Sequence, residues 1–258
     1  MTKKVNHTTS EVKTHSEFGG SKSKQILNCP GSVVLSRGIP NKSNAAADKG
    51  TNAHSCVEFF IRNHKMLKKK VTRDVCINIA RNTEEWDESM IENALDTLTW
   101  LKEQVSPNTS VYVESKVDSS AFTTEGQGST LDIAVANWSA RELIIADFKN
   151  GKHPVEVEEN SQLIYYALGM LIKLKGFKKF DRVRCVIIQP NAYHKNGTIR
   201  EWYISVDDAI KWGKKFRKTV KIALKPNAPL KYGEWCFFCL ANKICPVIRE
   251  RKASRDFK

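Results

Sequence analysis

Apolar residues recur at helical spacing in four stretches of the chain, and each stretch predicts a helix with one buried face. The first helix follows a loop over residues 31–49, and its apolar face carries Ala53, Val57, Phe60 and Ile61. The second and third helices span about 83–104 and 159–174. A fourth begins at Asp207, which is a typical N-cap residue.

Five further stretches have the pattern of strands. Apolar and polar residues alternate over 111–117, which places Val111, Val113 and Val117 on one face of a half-buried strand. The continuous apolar run within 143–149 is typical of a strand buried on both faces. The remaining strands are predicted at 131–135, 183–189 and 202–206. Helices, three strands, a helix, two strands and a helix follow in this order, which predicts one α/β domain with a central mixed sheet flanked by helices.

Composition and charge narrow the class of protein. Of the 258 residues, 41% are hydrophobic and 27% are charged, which is typical of a globular domain. Residues 1–20 are polar and rich in Thr, Ser and Lys, so we expect a disordered tail there and a single domain over 21–258. The net charge of +14 favours a polyanion such as nucleic acid as partner. A basic protein without such a partner stays open at this point.

No apolar run approaches the roughly 20 residues that cross a bilayer, which excludes a spanning helix. Residues 1–7 also lack the apolar core of a secretory signal. We therefore expect no membrane association and a location in a reducing cytoplasm. In that compartment the seven cysteines, an odd number, are more typical of thiols or metal ligands than of a disulfide framework.

Three of the cysteines lie close together near the C-terminus, as Cys236-x2-Cys239-x5-Cys245. Thiolates at this spacing predict a metal site, and both zinc and an iron–sulfur cluster normally take a fourth ligand. Cys29 is the best candidate for that ligand because it lies in a predicted loop. Packing is the favoured role for the other three cysteines, Cys56, Cys76 and Cys185.

Two aspartates and a lysine form the most informative spacing in the sequence. Asp132 lies within one predicted strand and Asp147 near the end of the next, so a short turn could bring both carboxylates to one end of the sheet. Such oxygen ligands suit Mg²⁺ or Mn²⁺. Lys149 points to the same strand face as Asp147, where it could orient or help deprotonate an attacking water. Each of these residues alone would more often be a solvated turn residue.

The next helix adds two polar residues to this group. Gln162 and Tyr166 lie four residues apart, so they share a helical face and can donate hydrogen bonds to a phosphate or a carboxylate. His54 is a further candidate ligand through a neutral ring nitrogen. Without the strand motif, a surface role would be as common for Gln162 and Tyr166, and a packing or surface role more common for His54.

These residues form four short motifs in a characteristic order: His54, Gly128-x3-Asp132, Asp147-Phe148-Lys149 and Gln162-x3-Tyr166. The set resembles the ordered motifs of RecB-type PD-(D/E)XK nucleases, and the stretch over 147–169 is especially similar to a phage and prophage family of that superfamily. The early Cys29 with the late cysteine triplet resembles the iron–sulfur variety seen in AddB and in CRISPR-adaptation nucleases. The resemblance covers about residues 25–248.

This resemblance implies a restriction-endonuclease-like core with an N-terminal helical segment and a C-terminal cysteine cluster. It also implies metal-dependent cleavage of DNA phosphodiesters, commonly by exonucleases. The implied ligands of Mg²⁺ or Mn²⁺ are His54, Asp132, Asp147 and the Phe148 carbonyl. Lys149 becomes the catalytic lysine, and Gln162 and Tyr166 support the DNA and the active site.

Two further groups follow from the same resemblance. Glu114, on the strand before the aspartates, is a candidate outer acidic residue. A [4Fe–4S] cluster is also implied, with Zn²⁺ as the alternative metal. Its four thiolate ligands would be Cys29, Cys236, Cys239 and Cys245. The chain departs from the usual motif by one extra residue between Gly128 and Asp132 and by an aspartate before the lysine.

The expected function is therefore that of a Mg²⁺- or Mn²⁺-dependent DNA nuclease, an exonuclease acting on single strands or duplex ends. We expect it to work in phage recombination or replication, with proteins of those processes as further partners, in the host cytoplasm if the chain is phage-encoded. The alternative is a DNA-binding recombination-accessory module that keeps the fold with little cleavage. A small zinc-ribbon binding protein would leave the Asp147–Lys149 strand unexplained.

Overall fold

The computed structural model describes residues 16–41, 44–64, 73–123 and 129–256. Within these ranges the helices are α1 (Ser23–Asn28), α2 (Ser32–Leu35), α3 (Ala45–Asn63), α4 (Arg73–Arg81), α5 (Glu88–Gln104), α6 (Ser120–Thr123), α7 (Ser161–Lys173), α8 (Val206–Ala223) and α9 (Pro246–Asp256). The strands are β1 (Thr109–Val117), β2 (Ser129–Asn137), β3 (Glu142–Phe148), β4 (Arg182–Ile188) and β5 (Ile199–Ser205). Residues 1–15 of the predicted tail and Gly128 of the glycine motif lie outside the described residues. None of the described helices is both long and apolar enough to cross a membrane.

The five strands form one open sheet in the order β1-β2-β3-β4-β5. Neighbouring strands are antiparallel except β3 and β4, which are parallel and are connected by the crossover helix α7. Helices α6, α7 and α8 pack on one face of the sheet, the α7 face, and α3, α4 and α5 pack on the other, the α5 face. The predicted α/β fold with a central mixed sheet is confirmed, and it is compatible with a restriction-endonuclease-like core.

Strand β3 is buried along its whole length, as its continuous apolar run predicts. Leu143 and Ile145 pack on the α7 face, whereas Ile144 and Ala146 pack on the α5 face. Side chains alternate along a strand, so Asp147 belongs to the α7 face. The pattern of β3 alone therefore directs this aspartate toward helix α7.

Strand β1 switches faces in its middle, contrary to the sequence prediction. Val111 and Val113 pack on the α5 face, but Val117 packs on the α7 face although its spacing predicts the same side. Glu114 lies between them with a φ of 43°, in the left-handed region that side chains rarely adopt. This conformation breaks the alternation, because it rotates the strand between Val113 and Val117.

Strand β2 makes the same switch directly across the ladder. Ile133 packs on the α5 face and Leu131, two residues away, packs on the α7 face. The flanking pairs Val113–Ile133 and Ser115–Leu131 put Asp132 opposite Glu114. Two acidic residues therefore mark the point at which both strands change faces.

Several helix boundaries differ from the prediction. The helix expected over 83–104 begins at Glu88, because the Asp87 side chain caps it by accepting a hydrogen bond from Met90 N at 2.9 Å. The N-cap of α8 is Ser205 rather than Asp207, since Ser205 Oγ accepts from Asp208 N at 3.0 Å. The predicted loop over 31–49 contains α2 and the first turn of α3, and α1, α4, α6 and α9 were not predicted. Helices this short carry little periodicity of their own and depend on tertiary packing.

The predicted disordered tail extends too far, because its end belongs to the core. Phe18 is only 2% exposed and packs with Ile26 and Val33 and with Val220 of α8. Gly20 lies so close to α7 that an added Cβ would approach a ring carbon of Tyr166 to 2.7 Å. A single phenylalanine and a close glycine contact thus fix a segment whose composition is otherwise polar.

Candidate active site

The candidate site lies where β2 and β3 separate. The last pair of their ladder is Ile133–Ala146, and the next positions are occupied by Asp132 and Asp147. Asp132 Oδ2 accepts a hydrogen bond from the backbone N–H of Phe148 at 2.8 Å. A side-chain carboxylate thus satisfies a donor that would otherwise need a β2 carbonyl. Both carboxylates lie at the same end of the sheet.

Asp147, Lys149 and Gln162 form a closed triangle of polar contacts. Asp147 is 2% exposed, and its Oδ1 accepts a hydrogen bond from Gln162 Nε2 at 2.9 Å. Its Oδ2 lies 2.9 Å from Lys149 Nζ. Lys149 Nζ also donates to Gln162 Oε1 at 3.2 Å, so each residue holds the other two in position.

One oxygen in this triangle remains incompletely satisfied. Asp147 Oδ2 is buried and forms its ion pair with Lys149, but no well-formed hydrogen bond reaches it from the described residues. A buried carboxylate oxygen whose one partner is an ammonium group at imperfect geometry is incompletely compensated, which is costly. A cation placed at this oxygen would remove that cost, and oxygen is the ligand that Mg²⁺ prefers.

Helix α7 positions the polar side chains opposite β3. Asn160 caps the helix by accepting from Gln162 N at 3.0 Å, which fixes the first turn beside Asp147. Tyr166 lies one turn further on, and its hydroxyl accepts from Gln162 Nε2 at 3.2 Å. The side-chain amide of Gln162 therefore links the aspartate and the tyrosine.

His54 approaches the same point from helix α3. Its Nδ1 lies 3.4 Å from Asp132 Oδ2, and its ring meets the Phe148 ring edge to face with centroids 5.5 Å apart. The side chain of His54 is 32% exposed, so the group opens to solvent on this side. One ligand atom each of His54, Glu114 and Asp132 lies within 4.8 Å of the other two, a spacing that could hold a metal ion.

Glu114 joins this cluster because of its unusual backbone. A left-handed residue within a strand costs on the order of 1–3 kcal/mol, and such strain persists where the surroundings enforce it. Here it brings the carboxylate to His54 and Asp132. In the sequence, only the resemblance to the nuclease motifs indicates Glu114. The residue pattern of β1 contains no sign of the left-handed backbone at this position.

The pKa values of two cluster members indicate an excess of negative charge. Burial, and next to it the carboxylates of Asp132 and Glu58, raise the pKa of Glu114 to about 7. Burial by itself lowers the pKa of His54, but Asp132 and Asp147 outweigh that effect and raise it to about 9. Glu114 and His54 therefore bind protons more tightly than the same groups do in water, and a metal cation at this place would compete with those protons.

The two aspartates differ in their ionisation. Burial and the Asp132 charge raise the pKa of Asp147, and Lys149 only partly offsets them. Burial acts the same way on Asp132, but His54 and Lys149 outweigh it and lower the pKa. Burial lowers the pKa of Lys149 less than Asp147 and Asp132 raise it, so its amine stays protonated. A protonated lysine can orient or stabilise an oxygen, but it cannot accept a proton.

The Phe148 carbonyl lies on the site side of β3. Lys149 N donates to Ile188 O at 2.8 Å, so that peptide group pairs with β4. The N–H and C=O of one strand residue share an edge, and the Phe148 N–H points to Asp132. Its carbonyl is therefore directed to the same edge as the Asp132 carboxylate.

A buried glutamine that the sequence analysis missed fixes the loop after Lys149. Gln189 is 1% exposed, and its Nε2 donates to Gly151 O at 2.8 Å and to His153 O at 2.7 Å. Its Oε1 accepts from Val155 N at 3.0 Å and from Arg200 Nη2 at 2.7 Å. In the sequence, Gln189 is a polar residue at the end of an apolar strand, which could have marked it as unusual. That position does not indicate that its hydrogen-bond partner is the loop after Lys149.

The cysteines of the predicted cluster come from distant parts of the chain and meet in one region. Cys29, at the end of α1, accepts from the backbone N–H of Lys231 at 3.3 Å. Cys239 accepts from Gln25 Nε2 of α1 at 3.3 Å. Burial raises the pKa of Cys239, and Cys29 and Cys236 lie close enough to raise it further.

Cys245 and the remaining cysteines complete this picture. Cys236 and Cys245 share a small buried cluster with Ile248 of α9. Cys56 and Cys76 are buried in the core on the α5 face, and Cys185 of β4 is buried on the α7 face. Three thiols are therefore packed in the core. The four predicted ligands lie in the same region, but the described residues that are spaced to hold a metal ion are only His54, Glu114 and Asp132.

Comparison with known proteins matches this chain to a family and to several solved structures, one of them over most of both chains. The structure, titled "Crystal structure of SSO0001", has 13% sequence identity and a TM-score of 0.32, and the match covers 87% of this chain and 96% of that chain. The model of the family described as "Protein of unknown function (DUF2800)" matches residues 15–257. The chain therefore belongs to the DUF2800 family.

Proposed function

We propose that this protein is a Mg²⁺- or Mn²⁺-dependent deoxyribonuclease of the RecB-type PD-(D/E)XK kind. The observation that carries the proposal is the convergence of His54, Asp132, Asp147, Lys149 and Gln162 at the end of the sheet where β2 and β3 separate. In the sequence these residues come from two helices and two strands, α3, β2, β3 with the residue that follows it, and α7. If these residues were ordinary polar residues in solvated turns, nothing would bring their side chains together.

The donor set fits a hard divalent cation. The carboxylates of Asp132, Asp147 and Glu114 offer oxygen ligands and His54 offers a nitrogen, a set that suits Mg²⁺ or Mn²⁺. The Phe148 carbonyl is directed toward the same edge. A metal ion bound there would polarise a phosphate and lower the pKa of a bound water.

The other residues of the site would hold and orient the reacting groups. Lys149 lies 2.9 Å from Asp147, where its Nζ would orient the attacking water or stabilise phosphate charge. Gln162 holds both Asp147 and Lys149 in position. Tyr166, in contact with Gln162, would support that arrangement from the next turn of α7.

Helix α8 supports DNA as the partner. It carries six basic residues and only two acidic ones, and both acids lie in its first turn. Lys214, Lys218 and Lys221 follow one another at helical spacing, opposite the buried Phe216 and Val220, and no acidic side chain pairs with them in the described ranges. Like charges at this spacing destabilise a helix slightly, whereas a phosphate backbone would neutralise them.

A gel assay of DNA digestion tests the nuclease activity. Single-stranded, blunt, tailed and circular DNA are incubated with the protein and Mg²⁺ or Mn²⁺, and digestion of linear but not circular DNA would support an exonuclease. Lys149→Ala should abolish cleavage, while Lys178→Ala, an exposed lysine outside the site, should retain it. DNA binding without digestion by the wild-type protein in either metal would overturn the nuclease proposal and leave the accessory module.

The cysteine region supports a second, structural metal centre. We assign it to the four thiolates of Cys29, Cys236, Cys239 and Cys245, with a [4Fe–4S] cluster favoured over Zn²⁺ through the resemblance to iron–sulfur nucleases. Their chemistry fits, because soft thiolates suit both. The centre would join the N-terminal segment to the C-terminal loop, where Gly31 N already donates to Pro229 O at 2.9 Å.

Metal analysis of anaerobically purified protein tests this centre. Brown protein with absorbance near roughly 400 nm and about four irons per chain is expected for the cluster. Colourless protein with about one zinc per chain would overturn the cluster and keep the shared centre. Cys29→Ser should lose the metal and lower the Tm, whereas Cys76→Ala should keep the metal. Unchanged metal content in Cys29→Ser would overturn the centre as assigned.

The resemblance to phage proteins of this superfamily extends the proposal to the biological setting. A nuclease acting on DNA ends or single strands would serve phage recombination or replication, with proteins of those processes as partners. Pull-down of this chain from infected cells with and without DNA digestion would test that setting. Recovery of recombination or replication proteins only after infection is the expected result, and their absence would contradict it.

A further inference from the structure

A rim of two loops borders the candidate site next to Lys149. The loop between β4 and β5 contacts the loop after β3 through Asn191, whose Nδ2 donates to the carbonyl and side-chain oxygens of Asn150 at 3.1 and 2.8 Å. Asn150 directly follows Lys149 in the chain. His194 adds a second link, since its Nε2 lies 3.4 Å from Glu156.

The β4–β5 loop is also fixed to its own strands. Gly197, with a φ of 83°, closes a turn by donating to His194 O at 3.0 Å. Arg200 is 3% exposed and its Nη1 donates to Gly197 O at 2.9 Å. Gln189 N donates to Thr198 O at 2.8 Å, so both ends of the loop are hydrogen-bonded. These hydrogen bonds make the β4–β5 loop a rigid support.

Tyr193 projects from this support into solvent. It is 92% exposed, whereas Ala192 before it is 4% exposed and the His194 side chain after it is 9% exposed. The described residues give Tyr193 no ring or hydrogen-bond contact. Leaving a large aromatic ring in water forgoes on the order of 1.5–3 kcal/mol of burial, and nothing in the fold requires it.

We propose that Tyr193 is a stacking platform for a base of an unpaired DNA strand whose backbone leads into the candidate site. The proposal rests on the nuclease function proposed above and specifies its substrate as single-stranded or frayed DNA. An aromatic face stacks on any base, but the bases inside a duplex are already stacked on each other. A ring on a rigid loop also loses little conformational freedom when a base binds.

The charges beside Tyr193 suit a nucleic acid strand. Lys195 lies two residues away and Lys152 lies on the adjoining loop; both are exposed, and neither pairs with an acidic side chain in the described part of the chain. Ammonium groups on either side of a stacking ring can contact the flanking phosphates. One aromatic residue between lysines is too small an apolar area for a stable protein interface.

Binding of labelled DNA to the full chain without added divalent metal tests the proposal, since no digestion is then expected. Fluorescence anisotropy with a single-stranded oligothymidylate should give a Kd about 5- to 150-fold weaker for Tyr193→Ala than for wild type. Tyr193→Phe should bind like wild type because it retains the ring. Tyr203→Ala is the matched control, since Tyr203 is 48% exposed on β5 and pairs with Arg184 at the other end of the sheet. A blunt duplex should bind equally well to all four proteins.

The outcomes separate this inference from the nuclease proposal. Wild-type affinity of Tyr193→Ala for the single strand would overturn the stacking role while leaving cleavage untouched. An equal loss for single strand and blunt duplex would also overturn it, because stacking requires an unpaired base. A selective loss of single-strand binding supports the platform even if the wild-type protein cleaves no DNA. Absence of any DNA binding by wild type would overturn both proposals.

Discussion

Glu142 and Asp147 are two buried acids at opposite ends of the same strand, and the protein balances their charges differently. Glu142 is 5% exposed and meets two arginines, with Arg182 Nε at 2.7 Å and Arg184 Nη2 at 3.1 Å. Asp147 is 2% exposed, and among the described residues only Lys149, at 2.9 Å, forms an ion pair with it; its Oδ2 has no well-formed hydrogen bond. The first acid is fully paired and the second is not.

The difference indicates which of the two acids belongs to the candidate site. Around Glu142, guanidinium groups satisfy the carboxylate from both oxygens. Around Asp147, the charge of Asp132 raises the pKa further, and Asp132 in turn lies in one group with Glu114. Burial with an excess of negative charge is costly unless a further cation binds, so it marks the candidate site.

The largest expected effect is on catalysis. Asp147→Asn should lower DNA cleavage by at least about 100-fold, because it removes a metal ligand while keeping the size of the side chain. Glu142→Gln should leave cleavage within about twofold, since Glu142 lies at the other end of β3. Single-turnover digestion rates measure both. Equal losses of cleavage in the two variants would mean that Asp147 contributes to the reaction no more than Glu142 does.

Stability should respond in the opposite order. Glu142→Gln should lower the free energy of unfolding by about 2–3 kcal/mol, because it leaves charged arginine groups without their partner. Asp147→Asn should leave the metal-free protein as stable or stabilise it, since it removes the repulsion between Asp147 and Asp132. Urea unfolding of the metal-free proteins gives both values. Greater destabilisation by Asp147→Asn would contradict the proposed charge imbalance.

The acidic groups at the Asp147 end of β3 should also make the stability of the protein depend on pH. The pKa of Glu114 rises from 4.5 to about 7 on folding and that of His54 from 6.5 to about 9. Both contributions are complete below the unfolded pKa and are lost as the pH rises through the folded pKa. The Tm of the metal-free protein should therefore fall between about pH 5 and pH 9. Added Mn²⁺ should raise the Tm more at the upper end of this range, because it replaces protons.

Matched variants assign that slope to its groups. His54→Gln and Glu114→Gln should each flatten part of the fall in Tm, His54→Gln above about pH 6.5 and Glu114→Gln below about pH 7. Glu142→Gln should lower the Tm without changing the slope. A slope that persists in the variant lacking both His54 and Glu114 would place its origin elsewhere in the molecule.

The smallest effect concerns charges away from both ends of β3. If Lys218 and Lys221 each contact a phosphate, Lys218→Gln with Lys221→Gln should lower the slope of log K against log salt by about 0.9 per contact on duplex and about 0.7 on single strands. The pair Lys102→Gln with Lys178→Gln removes the same charge from other exposed positions. An equal change in both pairs would show that only the net charge matters.

The sequence predicts those parts of the site that depend on local spacing. The apolar run of β3 predicts its double burial, the two-residue step predicts that Asp147 and Lys149 share a face, and the four-residue step of α7 puts Gln162 beside Tyr166. Each follows from the period of one element. These are also the contacts that the structure contains most directly.

What the sequence did not predict depends on pairs of distant segments. The left-handed Glu114 arises where β1 and β2 change faces together, and no residue pattern in β1 alone indicates it. Burial of Phe18 requires Val220, about 200 residues later, and the role of Gln189 requires the loop after β3. Periodicity reports the environment of one element and contains no information on such partners.

The docking of Phe18 on α8 has a consequence for the order in which a newly made chain can be completed. In synthesis, the segment with Phe18 and Gly20 precedes Val220, which packs with Phe18, by about 200 residues. Until α8 is made, Phe18 lacks the part of its buried contact that Val220 and Ala223 provide. Contacts of such long sequence separation form late. A chain that stops before α8 would therefore lack this packing, so the segment beside Tyr166 is fully held only after α8 has been made.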